Sequence, residues 1–142
     1  EAGRLAIDYR ATTADRLLAT GARFDVVCTL EVVEHVPDRD AFLAQAGELV
    51  APGGVLVAGT LNRTLKAFVL AIVGAEYLLR WLPRGTHDFK RFVRPDELES
   101  GLEAAGITVT DWSGVVYDPL VDRWKLDPSD LDVNYLAFGV RR

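Results

Sequence analysis

An α/β doubly wound sheet is predicted by three observations. Strand-like and helix-like segments alternate along the chain, the apolar run Phe24–Leu30 leads directly into polar residues, and Pro52-Gly53-Gly54 joins a helical pattern to another apolar run. In order, residues 4–9 read as a short strand and residues 13–20 as a helix capped by Thr12 or Thr13. Phe24–Leu30 reads as a buried parallel strand. Asp38 or Asp40 caps a helix running to Val50, on which Phe42, Leu43, Ala46, Leu49 and Val50 recur at helical spacing. The Pro-Gly-Gly turn then starts a strand over residues 55–60, completing a strand–helix–strand crossover. Pro95, Asp96 and Glu97 open a helix to Ala105 that Gly106 ends, and residues 107–116 and 133–140 supply two closing strands. No repeat, low-complexity tract or linker divides residues 1–142, so one domain is expected.

Composition is that of an ordinary globular domain: 49% hydrophobic and 26% charged. The single cysteine, Cys28, excludes a disulfide or cysteine-metal framework, and its place in the apolar strand predicts a buried thiol in a reducing, cytoplasmic setting. The N-terminal residues show neither a basic region nor an apolar signal run. A net charge of −5 argues against nucleic acid as a partner. That charge is unevenly spread, because residues 63–94 hold seven basic side chains against Glu76 and Asp88. One basic segment thus sits in an acidic chain.

Sheets of this class bind ligands beyond the carboxyl ends of their strands, which puts Leu30, Glu31, Glu34 and His35 at the expected crevice. Glu31, Glu34 and His35 stand at i, i+3 and i+4, so a helical backbone there would gather the three side chains. Two carboxylates and an imidazole can hold a divalent cation such as Mg2+; alternatively, His35 serves as general base with Glu34 beside it.

The phrases FDVV, EVVEHVPD, LVAPGGVLVAGTLNRT, GAEYLLRWLPRGTHDFKRFVRP and DVNY resemble those of the ubiquinone-biosynthesis O-methyltransferases over nearly the whole sequence. EHVPD and LxPGG are widespread among class I S-adenosylmethionine-dependent methyltransferases, whereas NRT, GAEY, GTHD and DVNY in this order are more specific. The resemblance implies a Rossmann-like sheet of seven strands in the order 3-2-1-4-5-7-6 and O-methylation of a catechol-like hydroxyl on a polyprenylated ring. It also implies S-adenosylmethionine as cofactor and a divalent ion at Glu31, Glu34 and His35, where a catechol could chelate it. Residues 4–9 would match strand three and Phe24–Leu30 strand four. The glycine-rich first loop, the ribose-gripping acid and strands one and two have no match here, so the sequence reads as the carboxy-terminal portion of such a domain. Leu30 matches a position touching the cofactor and Thr13-Ala14 the loop flanking its adenine; a core role for Leu30 and a cap role for Thr13 are the alternatives.

Residues 63–94 form the expected insertion. The stretch over residues 66–82 is too apolar for a plain loop and too short to span a bilayer. Phe68 and Trp81, with Arg80, Arg84, Lys90 and Arg91, suit a helix lying on an anionic membrane, which a lipid-borne polyprenyl phenol would favour. A buried or dimer-forming helix is the alternative. His87 and Asp88 either line the substrate entrance or cap a loop. The expected setting is cytoplasmic and peripheral on the inner membrane face, with other ubiquinone-biosynthesis proteins as further partners. The rival function is a non-catalytic lipid-binding or scaffold fragment.

Overall fold

The computed structural model describes residues 6–70, 88–118 and 121–142. Within them the backbone builds five strands, β1 (Phe24–Leu30), β2 (Val50–Leu61), β3 (Ile107–Asp118), β4 (Arg123–Asp127) and β5 (Asn134–Arg141). They form one sheet in the order β1-β2-β5-β3-β4. β1 and β2 are parallel and the other neighbouring pairs antiparallel. The first four positions reproduce the 4-5-7-6 half of the order expected above.

Helix α1 (Ala14–Ala19) precedes β1 and α2 (Arg39–Leu49) follows it. A short α3 (Leu65–Ala67) begins the insertion, and α4 (Pro95–Ala104) leads into β3. α2 starts where the Asp38 carboxylate accepts the Ala41 N–H at 3.0 Å, satisfying one of the donors a helix leaves open. Its far end is held from across the fold: Arg141 Nη1 donates to the carbonyls of Gly47, Glu48 and Val50 at 3.2, 2.7 and 2.6 Å. A guanidinium there also complements the negative end of the helix. Gly47 is required at the contact with α4, because a Cβ would come within 2.6 Å of the Ala105 carbonyl oxygen. In α4, Pro95 occupies the first turn and the Glu97 carboxylate reaches back to the Arg94 N–H at 3.1 Å.

Leu43 and Ala46 of α2 and Leu98 and Leu102 of α4 bury themselves on one face of the sheet, against Leu56, Ala58, Ile107, Tyr135 and Ala137. Each fully buried leucine contributes about 1.5–3 kcal/mol. Strand alternation puts Val55, Val57, Leu136, Phe138 and Val140 on the opposite face, where they are only half-buried. Phe24 (43% exposed) and Val26 (58%) stand open on β1, an edge strand among the described residues.

Four expectations are corrected. Residues 6–9 belong to no strand, since their backbone pairs with none of the described strands, and residues 4–5 lie outside the described residues. The fifth strand is instead β4, which the sequence reading passed over. Cys28 is exposed rather than buried, because it alternates with Val27 onto the open face. Thr13 is the N-cap residue of α1 by position, but its hydroxyl makes no cap hydrogen bond; it bonds the Asp15 carboxylate instead and lowers that group's pKa.

Candidate active site

The site forms where β1 ends beside β2. Leu30 pairs with Gly59, and the Glu31 N–H donates to the Gly59 carbonyl at 2.9 Å as the last rung. The chain then turns abruptly. Glu31 adopts φ 54°, in the left-handed region, and the His35 N–H closes a turn onto the Val32 carbonyl at 2.9 Å. Val33, 2% exposed, anchors the turn in the core. Glu34 is buried next to it, whereas the His35 side chain is 48% exposed.

Glu34 is the structural centre of the site. Its Oε2 accepts the hydroxyl of Thr60, the penultimate residue of β2, at 2.8 Å in a buried hydrogen bond. Its Oε1 is buried with no hydrogen-bond partner and lies 4.0 Å from His35 Nε2. Although Glu31 as a residue is exposed, its carboxyl turns in against Glu34. Burial, then the Glu34 charge and hydrogen bond, push its pKa up to about 7.

The backbone turn thus brings the two glutamates together without the helical geometry that the spacing suggested. Among the described residues no three His, Cys, Asp or Glu side chains are grouped to hold a metal ion. The expected metal set of Glu31, Glu34 and His35 is therefore not gathered as a group, with Glu31 in the left-handed region and His35 Nε2 4.0 Å from Glu34 Oε1.

The two ends of the insertion converge on the same edge. Asn62 Nδ2 donates to the Leu131 carbonyl at 2.9 Å, and the Val93 N–H donates to the Leu61 carbonyl at 2.9 Å. Arg63 pairs with Glu97, and Lys66 Nζ lies 3.0 Å from Asp130 and 3.2 Å from Asp132. For Glu97, burial raises the carboxyl pKa, but the Arg94 N–H and the Arg63 and Arg94 guanidiniums outweigh it and leave it below its ordinary value. Arg91 Nη1 donates to the His35 carbonyl at 3.3 Å, joining the returning segment to the site turn.

Of the other expected site residues, Leu30 is 53% exposed at the end of β1, available to a ligand rather than packed in the core. Ala14 opens α1 and is half-buried. Asp88 accepts the Lys90 N–H at 3.0 Å, the capping role weighed above. Phe68 stacks edge-on against Phe89 at 5.5 Å, while Lys90 and Arg91 are exposed. Arg80, Trp81, Arg84 and His87, and residues 71–82 of the expected membrane helix, lie outside the described residues. Thr60 and Arg91's role at His35 escaped the sequence reading. The available signal was a threonine ending an otherwise apolar strand, VLVAGT, beside the strand that carries the glutamates.

The sequence is 56% identical over 137 residues to the ubiquinone biosynthesis O-methyltransferase of Mesorhizobium japonicum, covering 96% of this chain and 55% of that protein. It is 55% identical over 139 residues to the protein of the same name from Azorhizobium caulinodans, covering 98% and 54%. The chain therefore spans about half the length of the curated relatives it matches. Among solved structures, the fold is similar to a SAM-dependent methyltransferase, possible histamine N-methyltransferase, of Thermotoga maritima, with a TM-score of 0.60 at 15% identity over 84% of this chain and 56% of that one. It is also similar to the methyltransferase CalH, solved with SAH, with a TM-score of 0.61 at 22% identity over 95% of this chain and 36% of that one. Residues 4–111 match the family described as "Methyltransferase domain". The chain belongs to that family, with the half-sheet 4-5-7-6 and the glutamate-bearing turn as its share of the fold.

Proposed function

We propose that this chain forms the substrate-facing half of an S-adenosylmethionine-dependent O-methyltransferase acting on a catechol-like hydroxyl of a polyprenylated ring in ubiquinone biosynthesis. Identity above one half across nearly the whole chain to proteins of that name carries the reading. S-adenosylmethionine, when bound, supplies an electrophilic methyl group. Leu30, open at the end of β1, and Thr13-Ala14, at the start of α1, are the residues here that would border it. The exposed His35 imidazole accepts the proton of the substrate hydroxyl, and the buried Glu34 Oε1, 4.0 Å from its Nε2, stabilises the charge that forms there. Burial of Glu34 and Val33 keeps water from the inner side of the turn.

Docking on an anionic membrane completes the proposal. Its support is the exposed apolar start of the insertion, Leu65 (77%), Val69 and Leu70, together with the exposed Lys90 and Arg91 where the chain returns. No helix among the described residues is long and apolar enough to cross a membrane. Other ubiquinone-biosynthesis proteins and a setting on the inner face of the cytoplasmic membrane belong to the same proposal.

The test is methyl transfer from labelled S-adenosylmethionine to a catechol bearing a short prenyl chain, using the full-length gene product. Glu34→Gln and His35→Ala should each lower kcat by roughly 10²–10⁴-fold, the usual span of acid–base catalysis. Wild-type turnover in both variants would overturn their assigned roles, and no transfer by the unaltered protein would overturn the activity itself.

A further inference from the structure

We propose that Thr60 is a positioning residue: its hydroxyl, by donating to Glu34 Oε2, fixes Oε1 as the carboxylate oxygen presented to His35. This rests on the assignment of His35 as the proton acceptor, with Glu34 stabilising its charge.

Thr60 and Glu34 are 26 residues apart, so their 2.8 Å bond is a tertiary contact built by the pairing of β1 and β2. Both groups are buried: Thr60 is 0% exposed and the Glu34 side chain 2%. A carboxylate's two oxygens are chemically equivalent until something distinguishes them. A threonine hydroxyl has one proton to donate and can mark only one oxygen. Here it marks Oε2 and leaves Oε1, 4.0 Å from His35 Nε2, without a hydroxyl or N–H donor. A buried acceptor without such a donor costs free energy in the resting fold, which the imidazolium N–H formed on His35 would recover.

The donor is itself well fixed. Thr60 is β-branched and restricted about χ1, and it pairs with Tyr135 of β5, whose hydroxyl donates to the Val93 carbonyl at 2.9 Å. The next residue, Leu61, accepts the Val93 N–H, so this rung also fixes where the insertion returns. Glu34 is thereby referenced to the rigid sheet rather than to the turn that carries it. That arrangement suits a group whose placement must hold to a fraction of an ångström.

The experiment compares Thr60→Val, which keeps the shape and removes the hydroxyl, with Thr60→Ser, which keeps the hydroxyl, in the full-length gene product. Turnover of the prenylated catechol is measured alongside the 13Cδ resonance of Glu34, assigned by its loss in Glu34→Gln. Thr60→Val should lower kcat about tenfold or more with KM within about twofold, and should shift the Glu34 resonance; Thr60→Ser should restore both. Wild-type kcat or an unmoved resonance in folded Thr60→Val would overturn the proposal, as would a Thr60→Ser variant no better than valine. If the unaltered protein methylates no catechol, the activity reading fails, and the resonance alone still decides whether Thr60 orients Glu34.

Discussion

Glu31 combines a left-handed backbone with a carboxyl pressed against a second, buried carboxyl. The first costs about 1–2 kcal/mol for a residue with a Cβ. The second raises its pKa to about 7, through burial first and Glu34 second. A carboxyl whose folded pKa lies above its unfolded value binds its proton more tightly in the folded state. Stability is therefore highest below the ordinary glutamate range, near 4.5, and declines as pH rises from there through about 7. Glu31→Gln removes the ionisation and should flatten that decline. The variant should be more stable than the unaltered chain at pH 8, by about 1 kcal/mol after allowing for the residue's exposure, and nearly equal to it at pH 4. Thermal melts at the two pH values check this; an equal effect at both would show that the carboxyl's charge is not what strains the turn. Neither the strain nor the carboxyl contact was legible in EVVEH. Spacing along a chain reports neighbours only once the backbone conformation is known, and the i, i+3, i+4 reading assumed a helix that the left-handed Glu31 denies.

At the scale of elements, legibility followed locality. β1, the Asp38 cap of α2 and the Pro95 start of α4 were readable because capping and apolar-run signals are written within a few residues, whereas the expected Pro52-Gly53-Gly54 turn lies inside β2 as an irregularity between the Phe24–Val50 and Val26–Val55 pairs. β4 was not: RWKLD has five residues, alternates charge with Trp124 and Leu126, and becomes a strand only by pairing with an overlong β3. The Arg141 clamp on α2 was equally hidden, its partners lying more than 90 residues away. The insertion is an element whose two ends are tied to the sheet by Asn62, Lys66 and Val93. With the base so held, membrane affinity should reside in its exposed apolar and basic side chains. Each basic residue near an anionic surface contributes about 1 kcal/mol and is screened by salt. Liposome co-sedimentation of the full-length gene product should show binding to anionic vesicles, little to neutral ones, and loss on replacing Arg80, Arg84, Lys90 and Arg91 by glutamine. Among those four, Arg91 should matter least, since its guanidinium already donates to the His35 carbonyl. Equal binding to both vesicle types would favour a helix buried in the protein or in a dimer.

At the scale of the molecule, the described residues cover the sheet on one face. α2 and α4 cover the face bearing Leu56, Ala58 and Ala137, while Val55, Val57, Leu136, Phe138 and Val140 are half-buried on the other. β1 adds Phe24, Val26, Cys28 and Leu30, all exposed, along an edge unpaired among the described residues. A parallel pair such as β1–β2 is ordinarily covered on both faces, and an apolar edge with free N–H and C=O groups invites another strand. The sequence carries no glycine-rich strand-to-helix turn before Phe24 of the kind that seats a dinucleotide-like cofactor. The 142-residue polypeptide, produced alone, should therefore self-associate through this face and bind S-adenosylmethionine weakly. Sedimentation should show mass rising with concentration, Val26→Lys should suppress that rise by placing a charge on the open edge, and calorimetry should give no micromolar constant for the cofactor. A concentration-independent monomer with micromolar affinity would mean that the half-covered sheet is sufficient, both as a fold and as a cofactor site.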